Sequence, residues 1–138
     1  MSEVFVLDAW ALLAFLQGEQ PAATRVRQVI EAAQNHSLRL MVSIINIGEV
    51  YYRIGRKYGQ KEADEVLSNL RLLPMDILPA DDEIVLAAAR LKMVHILAYD
   101  DAFAAIAARK NDATLLTGDP ELLKLVDVVR IEKFSRQR

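Results

Sequence analysis

The run Val4-Phe5-Val6-Leu7 is apolar at every position and stops at Asp8. An unbroken apolar run of this length suits a strand covered on both faces, as in a parallel sheet between helices. Comparable runs recur at Leu38 to Val42, Ile77-Leu78, Ala113 to Thr117 and Val128 to Ile131. The segments between them carry apolar residues at helical spacing. Leu12, Leu13, Phe15 and Leu16 form a short helix that stops near Gly18, and Pro21 opens a helix carrying Val26, Val29, Ile30 and Ala33. Proline suits a first helical turn, where its missing N–H costs nothing. Ser43 is placed to cap a helix with Ile47, Val50, Tyr51 and Ile54 that ends at Gly59. Residues 61–73 turn Ala63, Val66, Leu67, Leu70 and Leu73 inward before Pro74. Asp81 or Asp82 caps a helix with Ile84, Val85, Ala88 and Leu91. A loop from His95 to Tyr99 leads to an alanine-rich helix over 101–109, and Pro120 to Leu125 is a short helix.

Five strands alternating with helices imply an α/β fold with a mainly parallel sheet covered on both faces. The 138 residues, 53% of them apolar, suit a single domain spanning 1–138. No apolar run reaches the roughly 18 residues that span a bilayer, so no membrane partner is expected. No basic region precedes an apolar stretch at the N-terminus, so no signal peptide is read. The chain has no cysteine, which removes disulfides, thiolate zinc sites and cysteine nucleophiles and fits a cytoplasmic location. The net charge of −2 argues mildly against a uniformly basic nucleic-acid face, although an average hides patches.

Four acids fall at structural junctions: Asp8, Glu49, Asp101 and Asp119. In a sheet of this kind ligands bind beyond the carboxyl ends of the strands. Asp8 and Asp119 follow strands one and four directly. Glu49 lies in the helix after strand two, and Asp101 opens a helix that can point to the same edge. Each aspartate also has a structural reading as a helix cap, and Asp100 or Asp101 can serve that role before the alanine-rich helix. Glu49 sits too deep in its helix to cap. Its alternative is a surface glutamate paired with Arg53 at i,i+4.

Convergence would change the weighing. Two carboxylates about 4 Å apart repel by about 4 kcal/mol at an effective dielectric near 20. A cluster therefore calls for a divalent cation or for protonation. Oxygen donors without cysteine favour Mg²⁺ or Mn²⁺. The two histidines, His36 and His95, are too few and too separate for a zinc site and read as loop or surface residues. At 100° per residue, Asn46, Tyr52, Arg53 and Arg56 lie within about 60° of Glu49, so one helix face joins an acid, an amide, an aromatic ring and two arginines. That face suits metal plus phosphate, or else a solvated polar surface. A basic tail with Arg130, Lys133, Arg136 and Arg138 reads as a solvated end.

Other chemistries fit poorly. There is no Walker-type loop, no GxGxxG and no G-x-S-x-G elbow. A phosphoacceptor receiver domain would need paired acids after strand one and a lysine ending strand five. The chain supplies one acid, and Lys133 lies past the last expected strand.

Four segments in order, Val-Leu-Asp-Ala-Trp-Ala-Leu-Leu-Ala from Val6, Ile-Asn-Ile-Gly-Glu-Val-Tyr-Tyr from Ile45, Asp-Ala-Phe-Ala-Ala from Asp101 and Leu-Leu-Thr-Gly-Asp-Pro-Glu-Leu from Leu115, resemble the PIN domain. Within it they look most like VapC-type toxins of toxin–antitoxin pairs. The resemblance covers essentially the whole chain. It implies a three-layer α/β/α sandwich with a five-stranded parallel sheet, Mg²⁺- or Mn²⁺-dependent endoribonuclease activity, homodimers, and inhibition by a small cognate antitoxin. It carries the family's acids to Asp8, Glu49, Asp101 and Asp119, with Asp100 either a cap or a further member of the pocket. Thr117 matches a hydroxyl position able to orient a carboxylate or water. Ser43 and Asn46 match supporting polar positions, and Arg53 or Arg56 would hold the RNA backbone. The alternatives are a catalytically silent binding module on the same fold, or a phosphatase or DNA nuclease using the same acidic pocket.

Overall fold

A computed structural model of the chain describes residues 3–136, so Arg138 of the tail lies outside the described residues. The strands are β1 (Glu3–Leu7), β2 (Leu38–Ser43), β3 (Asp76–Leu78), β4 (Thr114–Thr117) and β5 (Arg130–Lys133). The helices are α1 (Ala9–Leu16), α2 (Ala22–Gln34), α3 (Ile44–Tyr58), α4 (Gln60–Arg71), α5 (Asp82–Val94) and α6 (Tyr99–Lys110). All strand pairings are parallel, in the order β3-β2-β1-β4-β5.

Successive side chains of a strand point to opposite faces, and this sorts the core into two layers. Phe5, Leu7, Leu40, Val42 and Leu116 join the core under α1 to α4, whereas Val6, Met41 and Leu115 join the core under α5 and α6. The connections β1→β2→β3 step toward one edge over the first face. The connection β3→β4 runs back past β2 and β1 over the second face. Reversing direction and face together is what crossovers of constant hand require. The strand order therefore reverses between β1 and β4, and a crevice opens beyond their carboxyl ends.

Helix α6 lies close beneath the sheet because Ala102, Ala104, Ala105, Ala107 and Ala108 are buried and short. Gly59 turns the chain from α3 into α4 at φ 96°, a conformation side chains disfavour.

Two expectations at the C-terminal end need correction. β5 begins at Arg130 rather than Val128, because the N–H groups of Val128 and Val129 both donate to the Leu125 carbonyl and are spent on a turn. The tail is also not a solvated end as far as Arg136. Phe134 is buried, its N–H donates to the Thr117 carbonyl at 2.8 Å, and its ring lies 6.5 Å from Trp10. Arg136 sits 4.7 Å over the Trp10 ring and pairs with Glu19 at 3.0 Å.

Candidate metal centre

Asp8 takes its place from the end of β1. Its extended backbone makes it the N-cap of α1, and its Oδ1 accepts the Ala11 N–H at 2.8 Å. Its Oδ2 accepts the hydroxyl of Thr117, which stands at the end of neighbouring β4. The side chain is 1% exposed. The Thr117 hydroxyl oxygen in turn accepts the Asp119 N–H at 3.0 Å. One hydroxyl thus couples the acids that follow β1 and β4.

Asp119 has a capping role as well. Its Oδ1 accepts the N–H groups of Glu121 and Leu122 at 2.9 and 3.2 Å, at the start of the short 3₁₀ turn Leu122–Lys124. Capping and ligation are compatible, because an ionised carboxylate offers about four acceptor positions.

Asp101 is buried in the first turn of α6. The capping role considered for Asp100 or Asp101 is not observed. α6 begins two residues earlier, at Tyr99, with Ala98 at the cap position. The Tyr99 ring packs edge-on against Phe103 at 5.0 Å, which holds the extra turn in place. The Ala98 N–H itself donates to Glu121 Oε1 at 3.2 Å, so an acid from another loop ties down the residue that opens the helix.

Oxygens of Asp101, Asp119 and Glu121 all lie within 4.8 Å of one another. Sequence reasoning missed Glu121. Its only signal was an acid two residues beyond Asp119 across Pro120. Glu49 is placed differently. Its carboxylate is held by Arg53 Nε at 2.7 Å, with side-chain exposures of 12% and 56% respectively, and it lies outside the Asp101–Asp119–Glu121 group.

Asn46 is fully buried, and its Nδ2 donates to the Asp100 carbonyl at 3.0 Å, tying α3 to the first turn of α6. Its Oδ1 is the one buried side-chain polar atom among the described residues with no partner. Ser43 Oγ caps α3 by accepting the Ile45 N–H at 3.1 Å. Arg56 stacks over the exposed Tyr52 ring at 5.0 Å. His36 is exposed in the turn before β2, and His95 ends α5.

Burial drives the electrostatics. Desolvation raises the Asp8 carboxyl to about 7, against the lowering effect of Thr117 and Ala11, with the charge of Asp119 adding to the rise. Asp101 is pushed up to about 8 by desolvation and by the charges of Asp119, Asp100, Asp8 and Glu121. Asp100 is raised too, chiefly by its partial burial. No ion pair among the described residues engages Asp8, Asp101, Asp119 or Glu121. Ionised pairs at such separations cost roughly 3–4 kcal/mol each at an effective dielectric near 20. Protonation or a bound cation must relieve that cost. The donors are hard carboxylate oxygens, beside a buried amide oxygen that still needs a hydrogen-bond donor. That set fits Mg²⁺ or Mn²⁺ with its retained waters better than zinc.

Comparison with known proteins places the fold. A family model described as PIN domain matches residues 5–128. No curated protein matches the chain by sequence. Among solved structures, VapBC2 from Rickettsia felis bound to a promoter DNA fragment is similar, with TM-score 0.72 at 15% identity over 96% of this chain and 99% of that one. VapC20 from Mycobacterium tuberculosis, a toxin that cleaves the sarcin–ricin loop, gives TM-score 0.67 at 16% identity over 88% and 94%. VapBC-1 from nontypeable Haemophilus influenzae gives TM-score 0.67 at 16% identity over 94% of this chain and 97% of that one. At these identities the likeness is one of fold.

Proposed function

The chain belongs to the PIN domain family, and from that membership we propose that it is a divalent-metal-dependent endoribonuclease, the toxin of a toxin–antitoxin pair. The observation that carries the proposal is the convergence of Asp8, Asp101 and Asp119 at the β1/β4 crevice, where no ion pair among the described residues neutralises them. The fold of a sarcin–ricin-loop-cleaving toxin, shared with a chain of a toxin–antitoxin complex, supports the choice of RNA as substrate and of a small antitoxin as partner.

In this reading Asp8, Glu49, Asp101 and Asp119 hold Mg²⁺ or Mn²⁺. When bound, the cation supplies Lewis acidity, lowering the pKa of water and offsetting charge on the phosphate under attack. The protein's own groups do the rest. Thr117 holds the Asp8 carboxylate in one orientation through its hydroxyl. Asn46 fixes the first turn of α6, and with it Asp101, through the Asp100 carbonyl. Arg53 and Arg56 border the same helix face as Glu49 and present guanidinium groups to an RNA phosphate backbone. A homodimer acting in the cytoplasm completes the proposal. No helix among the described residues is long and apolar enough to cross a membrane.

The test is RNA cleavage by Asp8→Asn with Mg²⁺ present. Asparagine caps a helix about as well as aspartate, so folding should survive. Cleavage should be lost. A folded variant with near wild-type activity would overturn the assignment. Offering RNA, single-stranded DNA and small phosphate esters to the wild-type protein checks the substrate class, with cleavage of RNA alone expected.

A further inference from the structure

We propose that Glu121 is a direct ligand of the divalent cation, a fifth acid beyond Asp8, Glu49, Asp101 and Asp119. The inference rests on the metal-site reading above and extends it to a residue that the four-acid pattern leaves out.

Glu121 reaches the crevice by a short, rigid route. Asp119 Oδ1 accepts the Glu121 N–H at 2.9 Å across Pro120, so the turn itself fixes the two acids side by side. The Ala98 N–H then orients the Glu121 carboxylate by donating to Oε1 at 3.2 Å. This bond draws the carboxylate toward the first turn of α6, where Asp101 stands. The result is three oxygens, from Asp101, Asp119 and Glu121, within 4.8 Å of one another. Oxygens sharing an octahedral cation with bonds of 2.0–2.1 Å lie roughly 3–4 Å apart, so modest side-chain movement closes the set. Glu49, by contrast, already has a positive partner in Arg53 at 2.7 Å. Glu121 has none among the described residues.

A purely structural account must also be met. The bond to the Ala98 N–H gives Glu121 a tethering role at the start of α6. Tether and ligand make different demands on the side chain. Tethering needs only an acceptor oxygen, which glutamine retains. Ligation draws on the negative charge, which glutamine lacks. Glu121→Gln therefore separates them.

The experiment is calorimetric titration of Mn²⁺ into metal-free wild-type protein, Glu121→Gln and Glu121→Ala, with the metal-free melting temperature of each recorded. Glu121→Gln should melt with the wild type and bind Mn²⁺ at least about tenfold more weakly, the scale on which even ligand-orienting groups act. Glu121→Ala should lose affinity to a similar extent and melt lower, because it also drops the Ala98 bond. If Glu121→Gln binds Mn²⁺ as the wild type does, the tether is its whole role and the proposal falls, while the four-acid site stands. If the wild type binds no Mn²⁺, the metal site and the role of Glu121 fall together.

Discussion

The hydroxyl of Thr117 donates to the carboxylate of Asp8 across 109 positions of sequence, joining the end of β4 to the end of β1 inside the core. This contact lies at the point where the strand order reverses. It also anchors Asp119, whose N–H reaches the same hydroxyl oxygen. Thr117→Val keeps the shape but takes the hydroxyl from the buried Asp8 oxygen and from the half-buried Asp119 N–H. We expect a loss of about 1–3 kcal/mol in chemical denaturation, the usual cost of an unsatisfied buried group. Thr117→Ser should recover most of it. Equal stability of the valine and serine variants would refute the coupling.

Stability of the metal-free protein should fall as pH rises. Asp8 and Asp101 titrate near 7 and 8 in the folded chain against an ordinary value of 3.8. Between those limits the folded state binds more protons than the unfolded one, so the slope of unfolding free energy with pH is negative. Stability is fully present below about pH 4 and is lost progressively up to about pH 8. Thermal melts from pH 5 to pH 8 in a chelator should show the decline. Asp101→Asn should flatten it, and saturating Mn²⁺ should offset it by binding only the folded state. A flat wild-type profile in chelator would contradict the burial argument.

Gly118 cannot be enlarged. A Cβ there would stand 2.3 and 2.4 Å from the Trp10 ring and 2.7 Å from the Phe134 carbonyl. The ring is itself held by Phe134 and Arg136, so it cannot simply swing away. Gly118→Ala should cost at least about 1–3 kcal/mol, the range for overpacking, and should disturb the neighbouring Thr117 and Asp119. Unfolding curves alongside Mn²⁺ titration would register both effects. A variant as stable as the wild type would mean the turn has slack that the contacts do not show.

Asp100 and Asp101 should separate cleanly. Asp101 belongs to the group of oxygens able to share a cation, whereas Asp100 contributes its backbone carbonyl to Asn46. Asp100→Asn leaves that carbonyl in place. It should retain RNA cleavage and most of the Mn²⁺ affinity, while Asp101→Asn loses both. A matching loss in Asp100→Asn would promote it to ligand.

Much of this was legible along the chain. Val4 to Leu7 and Leu38 to Val42 announced buried parallel strands because both of their faces are apolar. Ser43, Asp81 and Gly59 marked helix ends through local chemistry that needs no distant partner. Asp8, Asp101 and Asp119 stood out because acids at the ends of apolar runs need a reason. The pairing of Glu49 with Arg53 was also readable, since an i,i+4 spacing fixes it within one helix. What escaped was everything set by the approach of segments far apart in sequence. Val128 and Val129 have the composition of a strand, yet their N–H groups are taken by Leu125. Arg136 read as part of a solvated tail until Trp10 offered it a surface beside Phe134.

By itself, the sequence determined the alternation of strands and helices, the two-faced core and the residue types at the strand ends. Those follow from periodicity and from local capping, which act over a few residues. The tertiary structure alone decided which acids meet. It brought Thr117 to Asp8, tied Ala98 to Glu121, and set Glu121 beside Asp101 and Asp119 while Arg53 held Glu49. The physical reason is that burial and Coulomb interaction depend on distance through space, and strand order, which no local pattern encodes, sets that distance.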